Sequence, residues 1–130
     1  MKLETGQYLS ESYKVTPTDL ISDIDSSLPN VLGTYQIVKW AEITSGKILF
    51  NELSEDKLSV GMKIEIKHTG ISLEGAEIQV KSTVSMIKGP MIGFDIEVFE
   101  GEESIAKLSH LRVILSKEKL EQKIKQKQLK

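Results

Sequence analysis

The sequence contains no cysteine, and this absence excludes disulfide bonds, thiolate metal sites and cysteine nucleophiles. Only two histidines are present, His68 and His110, and neither has the cluster of ligand residues that a metal site requires. A glycine-rich phosphate loop is also missing, since GISLEG at 70–75 matches neither the P-loop nor the dinucleotide-binding pattern. We therefore expect a function that needs neither a metal nor a redox cofactor.

Long apolar runs are missing as well. No run approaches the roughly 18 residues of a membrane span, and the polar start MKLETGQ lacks the basic and apolar regions of a signal peptide. We therefore expect a cytoplasmic protein with no membrane partner. With 130 residues the chain is long enough for one domain with a real core but short for a two-domain enzyme.

Charge is unevenly distributed along the chain. Residues 116–130 hold six lysines and two glutamates, a net charge of +4, which leaves −6 for residues 1–115 because the whole chain carries −2. A basic tail can bind nucleic acid, but this one has no aromatic residue to stack on bases. We therefore expect no nucleic-acid partner, and we predict a domain at 1–115 followed by a lysine-rich helix or tail at 116–130.

The apolar spacing predicts one long helix among several strands. Apolar residues between Val31 and Leu53 recur mostly at intervals of three and four, as a helix with one buried stripe requires. Ser45 and Gly46 interrupt this helix, and they either permit a close backbone approach or mark a weak point. The predicted elements are, in order, a strand at 6–15, a loop with a short helical turn at 19–30, the helix at 31–53, a link at 54–61, and strands at 62–68, 76–87, 91–99 and 104–115.

The order of these elements predicts the fold class. The connections at 88–90 and 100–103 are short enough to be hairpin turns, so the last three strands should be antiparallel neighbours. One strand, one long helix and four strands in a meander form an α+β domain in which a curved antiparallel sheet wraps around a central helix. This arrangement is the hotdog fold.

Three polar residues on the helix and the following strand are candidates for a site. Side chains alternate along the strand at 62–68, so His68 ends an apolar row that faces the helix. Glu42, in the body of the helix, is available to meet that imidazole, and we predict that the two form a pair. Ordinary structural interpretations also exist: Thr34 as a helix N-cap, Glu42 as a surface residue and His68 as a hydrogen-bonded core residue.

The positions of these residues resemble those of a known family, the hotdog thioesterases of the fluoroacetyl-CoA thioesterase type. In that family a threonine near the helix start is followed eight residues later by a glutamate and twenty-six residues after that by a histidine. Thr34, Glu42 and His68 stand at those intervals, and the resemblance covers residues 31–115. Two further features match. Gly61 stands seven residues before His68, as a glycine does in the family, and His110 and Arg112 correspond to the histidine and arginine of the family's later His-x-Arg motif.

The chain also departs from the family's pattern. After the histidine, where family members often have Ala-Ala-x-Pro, it has Gly-Ile-Ser-Leu at 70–73, and the family's glycine two residues before the second histidine is replaced by Leu108. The stretch that corresponds to the phenylalanine-lined gate of the fluoroacetyl enzyme reads DIDSSLP at 23–29. We therefore do not expect specificity for a fluorinated substrate.

The resemblance implies hydrolysis of an acyl-CoA or a related thioester. This reaction needs a nucleophile, a base and donors to the developing oxyanion. His68 can take up a proton near neutral pH and return it to the leaving thiolate. Glu42 could orient His68, attack or activate water, and Thr34 could be a nucleophile or a hydrogen-bond donor. The residues expected to bind substrate or support the site are Gly61, His110 and Arg112.

The helix itself limits how these groups can meet. If Thr34 and Glu42 lie on one straight helix, eight residues separate them by about 12 Å along its axis. Either the helix begins after Thr34 and the chain folds back there, or a second subunit completes the site. Hotdog domains similar to this one pair into dimers with acyl-CoA sites at the interface, so the resemblance implies a homodimer.

Other functions are compatible with the same fold. A hotdog dehydratase or hydratase is the main enzymatic alternative, but its usual Asp and His, close together in one segment, are not found here. From a different class, the domain could bind an acyl thioester or another apolar ligand without turnover, or act only as a structural dimer module. A binding module would release no thiol, and changes to Glu42 or His68 would alter no catalysis.

Overall fold

A computed structural model describes residues 2–129 of the chain. It is an α+β domain, as predicted, with one antiparallel sheet packed against one long helix. The elements are, in chain order, β1 (Tyr8–Lys14), the 3₁₀ turns Pro17–Asp19 and Ile21–Asp23, α1 (Thr34–Glu52), β2 (Lys57–His68), β3 (Glu77–Lys88), β4 (Met91–Glu100), β5 (Glu103–Ser116) and α2 (Lys117–Gln128). Within residues 2–129, no helix is long and apolar enough to cross a membrane.

The five strands lie in the order β1-β3-β4-β5-β2. The predicted antiparallel hairpins β3–β4 and β4–β5 are confirmed. The predicted four-strand meander is wrong for β2, which pairs with β5 instead of β3. A short turn forces neighbouring strands together, whereas the longer connection at 69–76 lets the chain cross to the far part of the sheet. As a result, β2 is an edge strand.

The core lies between α1 and one face of the sheet. Alternating side chains of the strands are buried on that face, as the period of a half-buried strand requires. The buried apolar residues of α1 are Ile37, Trp40, Ala41, Ile48 and Leu49. Their main partners from the strands are Ile78, Val80, Val84, Ile92, Phe94, Ile96, Val98, Ile105 and Leu108.

The start of α1 differs from the prediction by three residues. The helix begins at Thr34 rather than Val31, because Leu32 forms an isolated β-bridge with Leu20 and is buried there. Gly33 takes the N-cap position with extended backbone and no side-chain cap. Thr34 is therefore the first helical residue and not the cap, which corrects the N-cap interpretation.

Strand β2 is longer than predicted and carries a β-bulge. It begins at Lys57, inside the segment predicted as a link, and Leu58 and Val60 alternate there with Lys57 and Ser59. Its pairing with β5 shifts register between Gly61 and Lys63, so Met62 is the inserted residue and is 59% exposed. The apolar row predicted to face the helix therefore loses its first residue, Met62, because a bulge interrupts the alternation of side chains between the two faces of a strand.

The lysine-rich segment at the C-terminus folds into α2. Ser116 caps this helix, since its hydroxyl accepts a hydrogen bond from the Lys119 amide. None of its residues is fully buried, and it contacts the domain mainly through the end of β5. The first turn of α2 thereby lies beside the first residues of β2, where the amide of Lys117 donates to the carbonyl of Asp56.

Candidate active site

The first helical residue of α1 meets the last residue of β2. Thr34 Oγ1 lies 2.8 Å from His68 Nδ1, at hydrogen-bond distance. Thr34 is exposed and His68 is half-buried, so the pair sits at the surface where the helix start and the strand end come together. The Gly33 carbonyl accepts from the amides of Gln36 and Ile37, so among the first-turn amides only those of Thr34 and Tyr35 have no backbone acceptor within residues 2–129.

The second ring nitrogen of His68 has no partner within the described residues. Nε2 is buried, and no hydrogen-bond acceptor or donor reaches it there. A threonine hydroxyl that donates to Nδ1 leaves the proton of a neutral imidazole on Nε2, because one ring nitrogen accepts and the other donates. One subunit therefore presents a Thr–His pair in which the buried Nε2–H of His68 has no acceptor within residues 2–129.

Glu42 does not supply that acceptor within one chain. It lies two helical turns beyond Thr34 on the same helix, about 12 Å along the axis, and it forms no hydrogen bond with His68 in residues 2–129. The predicted Glu42–His68 pair is thus not formed in the single subunit, because α1 is continuous from Thr34 and the chain does not fold back there.

Instead, Glu42 packs against the bulged part of β2. A Cβ atom placed on Gly61 would overlap Glu42 Oε1 and would lie 3.3 Å from His110 Cε1. A larger residue at this position would displace the end of the Glu42 side chain, so glycine leaves the carboxylate where it lies. The Glu42 charge also raises the pKa values of His110 and Arg112, although burial acts more strongly in the opposite direction on both. Four of the six predicted site residues therefore form a second cluster.

The guanidinium of Arg112 is held by three hydrogen bonds. Its Nε donates to Ser59 Oγ at 3.0 Å and its Nη2 to the Ser59 carbonyl at 3.2 Å. Its Nη1 donates to His110 Nε2 at 3.1 Å. Such a planar fork with several fixed bonds keeps a constant orientation, so Arg112 presents its charge in one direction.

The partners of His110 fix its protonation state. Its Nδ1 lies 2.9 Å from the Lys63 carbonyl, which can only accept, and its Nε2 faces the Arg112 N–H, which can only donate. His110 is 3% exposed, and this burial lowers its pKa, helped by the Arg112 charge and opposed by the Lys63 hydrogen bond and by Glu42. The ring is therefore neutral at pH 7, with its proton on Nδ1.

The small pair in the middle of α1 has two separate roles. Ser45 is buried, and its hydroxyl donates to the Ala41 carbonyl and pairs with Ser82 Oγ at 2.7 Å. Gly46 faces the guanidinium of Arg112, and a Cβ there would lie 3.6 Å from its Cζ atom. Side chains of strand residues therefore lie beside both members of the pair, but a methyl group at Gly46 would make only an ordinary contact, so a close backbone approach does not require this glycine.

A cavity of about 420 Å³ extends from this cluster toward the start of α2. It lies between the C-terminal half of α1, the first residues of β2 and the first residue of α2. Its lining residues are Gly46, Phe50, Leu53, Ser54, Glu55, Lys57, Leu58, Ser59, Arg112 and Lys117. Its volume falls in the range of small-molecule sites.

One residue of the site was missed at the level of sequence. Ser59 holds two of the three bonds of Arg112, but it lies in the segment predicted as a link. Extending the strand back to Lys57 would have placed Ser59 and Gly61 on one face. Within residues 2–129, no group of three or more His, Cys, Asp or Glu side chains could hold a metal ion.

Comparisons with known proteins identify a family to which the sequence is similar. The sequence profile of the family described as fluoroacetyl-CoA-specific thioesterase, FlK, matches residues 15–118. No curated protein matches the chain in sequence.

Three solved structures share the fold, and they confirm the predicted hotdog architecture. The fluoroacetyl-CoA thioesterase FlK has a TM-score of 0.89 at 20% identity, with 98% of each chain covered. A hypothetical Thermus thermophilus protein of the thioesterase superfamily has a TM-score of 0.92 at 24% identity, covering 98% of this chain and 96% of that one. A hot-dog-like protein from Thermanaerovibrio acidaminovorans has a TM-score of 0.89 at 20% identity, covering 95% and 91%.

Proposed function

The chain belongs to the fluoroacetyl-CoA-specific thioesterase family and is a thioesterase, and we propose that it hydrolyses acyl-CoA at a site built by two subunits. In this site Thr34 and His68 of one subunit face Glu42 of the other. One observation carries the proposal: Thr34 and His68 meet at the surface of the subunit, while the only catalytic carboxylate predicted, Glu42, lies two turns away on its own helix and forms no hydrogen bond with His68 within residues 2–129.

The exposed edge of β2 supports the pairing of two copies. An edge strand carries unpaired backbone groups that readily bind a second strand, and a two-fold axis makes such a pair antiparallel and self-complementary. The two copies of β2 then run in opposite directions. His68, at the C-terminal end of one copy, therefore lies beside the half of the other copy that contains Gly61, against which Glu42 packs.

Exposed apolar side chains line the same side of the domain. Three of them lie on the outward flank of α1, next to the helix face that carries Glu42 and Gly46. They are Tyr35, Ile43 and Phe50, exposed by 43%, 38% and 81%, and the bulged Met62 adds 59%. Burial of such a patch contributes favourably to association, so the homodimer predicted from the resemblance also has a hydrophobic contribution.

The proposed chemistry follows from the hydrogen bonds of the Thr–His pair. The Thr34 hydroxyl donates to His68 Nδ1, and the partner's Glu42 faces this pair from across the interface, where it can activate the attacking water. The same geometry suits Thr34 either as the nucleophile or as the group that holds the attacking water. In both cases the proton of the attacking hydroxyl or water passes to His68. His68 then returns this proton to the leaving thiolate.

Two further groups stabilise negative charge in the proposed site. The amides of Thr34 and Tyr35, which have no backbone acceptor within residues 2–129, are placed to donate to the oxyanion formed at the thioester carbonyl. Arg112 of the partner subunit, held by Ser59 and His110, adds a fixed positive charge beside Glu42. Solved structures of FlK with CoA and fluoroacetate and with acetyl-CoA support acyl-CoA as the substrate class here. A cytoplasmic location stays a prediction.

The proposal is tested by thiol release from a panel of short, branched, aromatic and long acyl-CoAs. The purified protein is compared with its His68→Ala variant, and melting curves show that both are folded. We expect release by the parent and a loss of about 10²–10⁴-fold in the variant, as for a general base. Binding of acyl-CoA without thiol release by the parent would instead identify a binding module.

A further inference from the structure

A buried carboxylate lies beside the start of α1. Asp19, the last residue of the first 3₁₀ turn, is 6% exposed, and a buried carboxylate is stable only when its oxygens are hydrogen-bonded. Its Oδ2 accepts from the amide and the hydroxyl of Thr16 at 2.8 and 2.9 Å, and its Oδ1 accepts from Gln36 Nε2 at 2.8 Å. We propose that Asp19 is a positioning residue that holds Thr34 against His68, an inference that rests on the proposed role of Thr34 in hydrolysis.

Asp19 binds the chain on both sides of Thr34. On one side, the amide of Gly33 donates to the Asp19 carbonyl at 3.0 Å. On the other side, Gln36 in the first turn of α1 donates to the Asp19 carboxylate. Thr34 therefore lies between two residues that the same aspartate binds, and neither end of the segment 33–36 can move without breaking a hydrogen bond.

Further contacts fix the segment that precedes α1. Leu20, next to Asp19 in the chain, forms a β-bridge with Leu32, which is buried. The amide of Leu32 donates at 2.9 Å to the carbonyl of Ser72, which lies in the connection that follows His68. The Asp19 contacts thus belong to a hydrogen-bonded frame that joins the start of the helix to the end of β2.

A small displacement of Thr34 is enough to reduce catalysis. Proton transfer between two side chains requires hydrogen-bond distance, and Thr34 Oγ1 lies 2.8 Å from His68 Nδ1. A misplacement of about 1 Å in an active site can cost about 100-fold in rate. Because Asp19 is buried and acts through Thr34, loss of its hydrogen bond to α1 should lower kcat and leave KM nearly unchanged.

Four variants separate the hydrogen bond from the charge and from stability. Asp19→Ala and Gln36→Met each remove the bond on the helix side of Thr34. Asp19→Asn removes the charge but can keep every bond, because its amide can donate to the side-chain oxygen of Gln36 once that amide turns over. Ser82→Ala is the control, since it removes a buried hydrogen bond to Ser45 of the same helix, about 16 Å along the axis from Thr34.

The histidine signals in proton NMR spectra report the contact without an activity assay. The chain contains only His68 and His110, so the His68→Ala variant assigns both ring signals. In Gln36→Met we expect the His68 signal and its titration to move toward those of Thr34→Val, which lacks the hydrogen bond, while the His110 signal stays in place. Ser82→Ala should leave both signals unchanged.

Thiol release and thermal unfolding are measured on the same proteins. We expect Asp19→Ala and Gln36→Met to lower kcat at least about tenfold with KM within about threefold of the parent. Asp19→Asn and Ser82→Ala should keep kcat within about threefold of the parent, even where Ser82→Ala melts as early as Gln36→Met.

Three results would overturn the proposal: equal losses of kcat in Gln36→Met and Ser82→Ala, an unchanged His68 signal in Gln36→Met, or a loss in Asp19→Asn as large as that in Asp19→Ala. The first would reduce Asp19 to a general contribution to stability, and the last would assign its effect to charge. If the parent hydrolyses no thioester the proposed function fails, while the NMR comparison still decides whether Asp19 positions Thr34.

Discussion

Thr34 Oγ1 and His68 Nδ1 lie 2.8 Å apart, although 34 positions separate these residues in the chain. The contact exists because the first turn of α1 and the last residue of β2 end at the same place. It directs the imidazole Nε2 away from Thr34, into a buried position without a partner among the described residues. The Thr34 hydroxyl and the His68 ring are thus placed to exchange a proton across this contact.

The first prediction concerns the Thr34 hydroxyl. Thr34→Val keeps the shape of the side chain and removes the hydrogen bond to His68, so kcat should fall at least about 100-fold. Thr34→Ser keeps the hydroxyl and should retain activity within about tenfold of the parent. Thiol release by both variants is the measurement, and circular dichroism checks that they melt like the parent. A valine variant as active as the serine variant would remove Thr34 from the mechanism.

The second prediction compares two glycines of the site. Gly61→Ala places a Cβ atom where Glu42 Oε1 lies, so the carboxylate must move, and kcat/KM should drop at least about tenfold because catalysis is sensitive to small displacements. Gly46→Ala places its Cβ 3.6 Å from Arg112 Cζ, an ordinary contact. This control should keep its activity within about twofold and should gain stability of up to about 1 kcal/mol from the better helix propensity of alanine.

Steady-state kinetics and thermal unfolding of the two alanine variants provide the comparison. Similar loss of activity in both would mean that the position of Glu42 against β2 does not matter. The opposite order, with Gly46→Ala the more damaging change, would make the approach of Arg112 to the helix the critical contact.

The third prediction is a pH dependence of stability that comes from His110. Burial lowers the pKa of this histidine in the folded state, so below the unfolded value of about 6.5 the unfolded chain binds more protons than the folded one. Stability from this residue is therefore fully present above about pH 6.5 and is lost as the pH falls toward the lowered folded value. His110→Gln does not titrate and can still accept from Arg112.

Urea unfolding of the parent and the His110→Gln variant between about pH 7.5 and 5 checks this sign. The stability of the parent should decrease more steeply toward low pH than that of the variant, since other groups contribute equally to both. Parallel curves would show that His110 titrates alike in the folded and unfolded states, against the neutral ring inferred from its partners.

The elements with strong local signals could be predicted from the sequence. The helix predicted at 31–53 is observed at Thr34–Glu52, and the strand predicted at 76–87 at Glu77–Lys88, because apolar spacing and hairpin turns act locally. The pairing of β2 with β5 could not be predicted, since it joins strands distant in sequence without a local signal. The start of β2 at Lys57 was also missed: the predicted link runs to Gly61, although Leu58 and Val60 alternate there with Lys57 and Ser59 as in a strand.

The candidate site residues come from the sequence, but their arrangement could not be predicted from it. The intervals between Thr34, Glu42 and His68 identify the residues through the family resemblance, which needs no three-dimensional information. The contacts of these residues depend on where α1 begins. The helix starts at Thr34 and not three residues earlier as predicted, and this start places Thr34 beside His68. The continuity of the helix then separates Glu42 from both.

The most direct test of the two-subunit site is a mixture of two inactive variants. His68→Ala and Glu42→Gln are purified separately, exchanged into mixed dimers under mild denaturation and assayed for thiol release. If Glu42 acts across the interface, each mixed dimer contains one site with both native residues, and a random equimolar mixture should recover about a quarter of the parent activity. If all three residues act within one subunit, every site lacks one of them, and the mixture stays as inactive as its components, which would contradict the account.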